Sequence, residues 1–214
     1  MCAVAQRQVR IVLSEFQRTV RDCRRLADDA RRWSLPGGSP HISINRRDLM
    51  IEIAFLRAFL AWEGFLEESC VLYMLGQRPL RGRALVRYVL PPNRRMAQAL
   101  AAGGREYAKW DGAAEVASRA ERFFREGRPY ASVLRGVQNT LNDAKTVRNA
   151  VAHDSESARQ KFEGLVRREL TRIPPRLTVG SFLNTARLGV APPQSFLEFY
   201  LDTLDQAADQ IARP

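Results

Sequence analysis

Histidine is nearly absent from this 214-residue chain: His41 and His153 are the only two. Imidazole is the side chain that exchanges protons most readily near neutral pH, so any chemistry built on it rests on one of two positions. Lysine is almost as scarce, with Lys109, Lys145 and Lys161 the only ones among 34 lysines and arginines. Cys2, Cys23 and Cys70 are odd in number, far apart and without a Cys-x-x-Cys pair, which indicates neither a disulfide framework nor a zinc site and fits a reducing cytoplasm. Walker-type loops, Rossmann fingerprints and internal repeats are missing, so no cofactor or metal is called for. The first residues lack the apolar run of a signal peptide, being broken by Arg7, Arg10, Glu15 and Arg18. The most apolar stretch, 49–75, carries Glu52, Arg57, Glu63, Glu67 and Glu68, too many charges for a bilayer span. A membrane partner is therefore not expected.

Arginine is what the chain has in excess. The formal net charge of +11 favours a polyanionic partner such as RNA, although a GC-rich genome imposes the same arginine bias on any protein, and the charge alone leaves both readings open. The length suits one well-formed core, and the expectation is a single domain over 1–214, with a core at about 4–172 and a C-terminal extension and helix at about 176–212.

The hydrophobic pattern predicts an all-α chain. Val9, Val12, Leu13, Phe16, Val20, Cys23, Ala27 and Ala30 recur every three or four residues, predicting a long amphipathic helix over 4–33. Pro36-Gly37-Gly38-Ser39-Pro40 ends it and leaves His41 on an exposed loop. Asn45 and Asp48 look like the start of a second long helix, 46–75, apolar on most sides and therefore central to a bundle. Glu52, Glu63 and Glu67 share one stripe of it, and a buried carboxylate needs a partner or water. A solvated stripe and a functional Glu63 are both open on this pattern.

Residues 77–95 are arginine-rich and broken by prolines, and the segment 85–90 reads as a short strand or a helical turn. Arg87, Arg94 and Arg95 with Tyr88 suit phosphate contact and base stacking, as a solvated loop also would. Shorter helices follow at 96–102 and at 112–125, the latter capped by Asp111. A continuous helix opened by Pro129 carries Val133, Leu134, Val137, Leu141, Ala144 and Val147 on its apolar face and delivers Arg148 at its end. After a helix at 157–170, an extended link through Thr178-Val179-Gly180 leads to a capping box at Ser195 and Glu198 that opens the last helix.

The densest chemistry is in Lys145-Thr146-Val147-Arg148-Asn149-Ala150-Val151-Ala152-His153-Asp154. Residues five apart stand about 140° apart around an unbroken helix, so Arg148 and His153 converge only if the helix ends between them. Asp154-Ser155-Glu156-Ser157 supplies the side-chain acceptors for a fresh helix start. The same arginine and histidine would also suit plain stabilisation of a helix C-terminus.

An arginine, a polar residue directly after it and a histidine beyond four to six intervening residues resemble the ribonuclease signature of the HEPN families. Ala61-Trp62-Glu63-Gly64 in the long early helix resembles one branch of them. The resemblance covers about two-thirds of the chain. It implies a HEPN-like bundle of long antiparallel helices and a metal-independent endoribonuclease, a toxin or antiviral defence effector. It also implies a homodimer in which Arg148, Asn149 and His153 from both subunits form a composite site, with Glu63 as the candidate extra carboxylate; Lys145, one turn before Arg148 on the same side of the helix, is a candidate RNA contact. The products would carry 2′,3′-cyclic phosphate and 5′-hydroxyl ends, and an antitoxin or inhibitor protein is a possible partner. Asp154 and Ser155 stand where HEPN toxins controlled by nucleotidyltransferases carry a tyrosine, so that mode of control is not expected. The alternative is a non-catalytic HEPN-like module that binds RNA or a protein.

Overall fold

The computed structural model describes residues 8–214. Cys2 and the first residues of the helix expected from Val4 lie outside this range. The described chain is all-α, with nine α-helices, one 3-10 turn at Arg125–Gly127 and two isolated antiparallel bridges. No described helix is long and apolar enough to cross a membrane. The helices are α1 (Val9–Trp33), α2 (Ile44–Met74), α3 (Arg94–Ala102), α4 (Ala113–Phe123), α5 (Tyr130–Gly136), α6 (Gln138–Ala152), α7 (Glu156–Leu170), α8 (Val179–Asn184) and α9 (Phe196–Ala212). They form two compact units, one from residues up to 17, 61–141 and 204–214, the other from 18–60 and 142–203.

In the first unit, Phe16 packs on Phe65 at 5.5 Å between ring centroids, and Phe65 stacks on Trp62. Buried hydroxyls inside it are paired. The buried hydroxyls of Ser69 and Tyr130 share a 2.8 Å hydrogen bond, and Tyr73 donates to the Ile211 carbonyl at 3.0 Å. Segment 85–90 is extended: Tyr88 N–H donates to Phe123 and Arg125 N–H to Val86, beside an Arg87–Phe124 bridge. Burial pushes the Cys70 thiol up to about 12, with Arg119 opposing and Glu67 reinforcing the rise.

The second unit is fastened by a close backbone approach. A β-carbon on Gly180 would lie 2.2 Å from the carbonyl oxygen of Asp48, so only glycine lets α8 rest on α2 there. Around this contact Thr178 donates to Asp48 at 2.9 Å, and Gly180 N–H donates to Glu52 at 2.7 Å. Arg47 holds the other oxygen of the buried Asp48. Burial raises the Glu52 carboxyl above its ordinary value, with the Gly180 N–H pulling the other way. Arg24 and Arg31 of α1 pair with acids of α9, Arg24 reaching Glu198 and Asp202.

The eight apolar residues expected on the face of α1 are all buried, and His41 is exposed. Several local expectations are corrected. Ser43 and not Asn45 caps α2, its hydroxyl accepting from Arg46 N–H at 3.4 Å. Gly112, and not Asp111, stands at the N-cap position of α4. The helix expected to run unbroken from Pro129 is interrupted at Val137 (φ −119°, ψ 17°), directly after Gly136, a poor helix former. Thr178-Val179-Gly180 is not an extended link: Thr178 and Ser181 form the capping box that starts α8. At α9 Ser195 accepts from Glu198 N–H, but the Glu198 carboxylate turns to Arg24 and Arg31 instead of closing a box.

Gly180→Ala should destabilise the chain by roughly 2–4 kcal/mol, since neither backbone can yield without breaking the bonds around it. Urea unfolding checks this, and a loss under about 0.5 kcal/mol would mean that the α8 contact is not a fastening.

Candidate functional site

Helix α6 buries Ala144 and Val147, and α7 buries Ala158, Phe162, Leu165 and Val166. Phe162 meets Phe182 edge-on at 5.5 Å, and Arg168 of α7 pairs with Asp143 of α6 at 2.6 Å. These contacts hold the two helices against the second unit's interior. Between them the chain stops being helical for His153, Asp154 and Ser155, as the sequence predicts. His153 N–H makes the last α-helical bond, to Asn149 at 3.0 Å. Ser155 then takes an extended conformation (φ −113°, ψ 145°) and accepts the Ala158 amide on its hydroxyl, the usual way to satisfy a first-turn donor.

This junction encloses a cleft of about 210 Å³ whose walls include Asn149, His153, Ser155, Ser157 and Lys161. His153 is exposed, and among the described residues its ring makes no hydrogen bond or ion pair. Lys161 is likewise exposed and in no ion pair among the described residues. Thr146 also lines the cleft, its hydroxyl donating to the Asn142 carbonyl at 3.0 Å. The N-terminus of the 15-residue α7 opens at the same place and adds partial positive charge.

Arg148 does not line this cleft. Its guanidinium donates to the Asn149 side-chain oxygen at 3.2 Å, which assigns the amide: the oxygen faces Arg148 and the NH2 group is left to donate elsewhere. The motif's arginine therefore reaches the histidine's surroundings through the asparagine. Lys145 is half-buried on α6 and is not part of the cleft either. Lys161, which sequence reasoning passed over, is the lysine present. Its only signal was a position four residues after Ser157, on the same side of a helix.

The remaining expected site residues belong to the first unit. Glu63 is half-buried on α2. Arg87 donates to the Met74 carbonyl at 2.8 Å and lies against Gly76, and Arg94 pairs with Glu68. Both guanidiniums are thus engaged within the protein. Arg95 is exposed and lines a different pocket, described below.

An imidazole, an amide NH2, an ammonium and hydroxyls around one small opening suit a tetrahedral oxyanion beside a group that can take or give a proton. No protein-family model, curated protein or solved structure matches the chain.

Ser155→Ala should lower stability by about 1 kcal/mol, the worth of a typical N-cap hydroxyl. Denaturant unfolding measures it, and an unchanged midpoint would show that the cap does not hold this end of α7.

Proposed function

We propose that the chain is a metal-independent endoribonuclease of HEPN type that cleaves RNA by attack of a 2′-hydroxyl on the adjacent phosphate. The observation that carries this reading is the cleft in which His153 stands beside the Asn149 amide, Lys161 and the start of α7. The bound phosphate would lie against Lys161 and the Asn149 NH2 group, which offset the charge that grows on its oxygens. His153 accepts the proton of the 2′-hydroxyl as that oxygen bonds to phosphorus. The bond to the 5′-oxygen breaks, leaving a 2′,3′-cyclic phosphate and, once protonated, a 5′-hydroxyl. Arg148 acts as a positioning residue that fixes the asparagine amide.

One cleft holds one imidazole, and the leaving oxygen needs an acid. A second copy of the chain would bring a second His153. Self-association is supported by α2, where Leu49, Ile53 and Leu60 are exposed and Leu56 is half-buried, at successive spacings of four, three and four residues. This alternation is that of a helix seam packed on another helix. A defence or toxin role would follow the same chemistry, with an inhibitor protein restraining it.

Incubation of RNA in EDTA tests the chemistry. The wild-type chain should cut and leave cyclic phosphate ends, and His153→Ala should cut at least about 100-fold more slowly, the usual worth of a positioned acid or base. Equal cutting by both, or none by either, would leave an RNA- or protein-binding module as the better description. Ile53→Arg combined with Leu60→Arg should turn the assembly monomeric in sedimentation and abolish cutting. A monomeric wild type that cuts would remove the second histidine from the mechanism.

A further inference from the structure

A concavity that brings charged and aromatic side chains together lies in the first unit and shares no residue with the cleavage cleft. It holds about 550 Å³, a volume within the range of small-molecule sites. Its walls come from α2, α3 and the segment after Gly103, with buried Trp110 among them. The Arg119 guanidinium lies 4.5 Å from the centre of the Trp110 ring and donates to the Lys109 carbonyl, which fixes the indole in place.

Besides Trp110, six polar or aromatic side chains line this pocket: Glu67, Arg95, Gln98, Arg105, Glu106 and Tyr107. Among the described residues none of the six side chains makes a hydrogen bond or ion pair within the protein. Their neighbours behave otherwise, since Arg94 is paired with Glu68 and Arg119 is bonded to backbone. Arg95, Gln98, Arg105 and Tyr107 are exposed, the tyrosine at 67%, and Glu67 is half-buried on the rigid α2. Opposite charges that share a pocket without neutralising each other leave both signs available to a ligand.

The ligand that matches must present an anionic group, a flat face and a row of hydrogen-bond donors. A nucleotide has all three: phosphate for the arginines, a ring for Tyr107 and a base edge for the carboxylate. The carboxylate narrows the base. Two carboxylate oxygens accept side by side, and only guanine offers two adjacent donors, N1–H and the 2-amino group, on one edge. Adenine places the bare N1 there, which would face an oxygen lone pair.

We infer that this pocket binds a guanosine nucleotide, with Glu67 reading the base, Arg95 and Arg105 holding phosphate and Tyr107 stacking. The moiety can come from a free nucleotide or from an unpaired guanosine in an RNA strand, and the chemistry of the site is the same for both. The inference stands independently of the cleavage reading, because it concerns binding alone.

Calorimetric titration of the full chain tests it with GMP, AMP and two 2′-O-methyl pentanucleotides, UUGUU and UUAUU, which lack the nucleophile for cleavage. GMP should bind about tenfold tighter than AMP, at the low end of what a two-bond base contact discriminates. A pentanucleotide with guanine that binds tighter than GMP assigns the site to a strand; the reverse assigns it to the free nucleotide. Glu67→Gln should invert the preference, since an amide offers adenine one donor and one acceptor, and a merely structural glutamate would not do this. Should Glu67→Gln unfold in circular dichroism, Tyr107→Ala on the exposed ring replaces it and should weaken both nucleotides about fivefold or more. No saturation by GMP or UUGUU at millimolar concentration, equal affinity for GMP and AMP, a preference untouched by a folded Glu67→Gln, or affinities untouched by Tyr107→Ala where that variant replaces it would each overturn the proposal.

Discussion

The cleft depends on the three residues between α6 and α7 remaining outside a helix. On an unbroken helix His153 and Lys161 would be eight residues apart, about 12 Å along the axis and roughly 80° around it. The interruption turns the chain back, so that both line one opening. The Ser155 hydroxyl holding the Ala158 amide, the Asp143–Arg168 pair and the Phe162–Phe182 contact keep it in that form. Each is modest alone, an exposed ion pair least of all. Their combined effect is positional, since they govern which polar atoms face the same solvent volume.

The net charge of +11 is not spread evenly as free cations. Arg24, Arg31, Arg94 and Arg168 are tied to carboxylates, and Arg87 and Arg119 to backbone carbonyls. Such arginines hold helices together and contribute little to anion capture, because their donors are occupied. Among the described residues the exposed groups outside such pairs include His153 and Lys161, which line one opening, and Arg95 and Arg105, which line another. Arginine excess therefore combines internal fastening with charge left at the surface, part of it gathered at these two openings.

Much of the helical layout was legible because burial imposes periodicity. The stripe from Val9 to Ala30 could not be mistaken, and Pro36 to Pro40 could not be helical. The failures share a different cause. Apolar spacing continues across Gly136, so the pattern hides a break that depends on backbone preference at one residue. Helix α8 is too short to show a period, and its placement follows from Gly180 meeting the backbone of Asp48, which no local pattern encodes. At the site the helix interruption was readable from Asp154 and Ser155. The Arg148–Asn149 bond and the presence of Lys161 were not, because one depends on rotamers and the other on the return of a later helix.

Lysine scarcity gives the cleft an unusual chemical address. Only three side-chain amines exist in the chain, and Lys161 is a wall of the opening that contains His153. Lys145 follows on the helix that ends there, and Lys109 belongs to the other unit. Acylation or cross-linking reagents that seek primary amines would thus modify very few positions and would report occupancy of this one opening against a nearly silent background. In a lysine-rich protein the same reagents would scatter over the surface and say little about any single site.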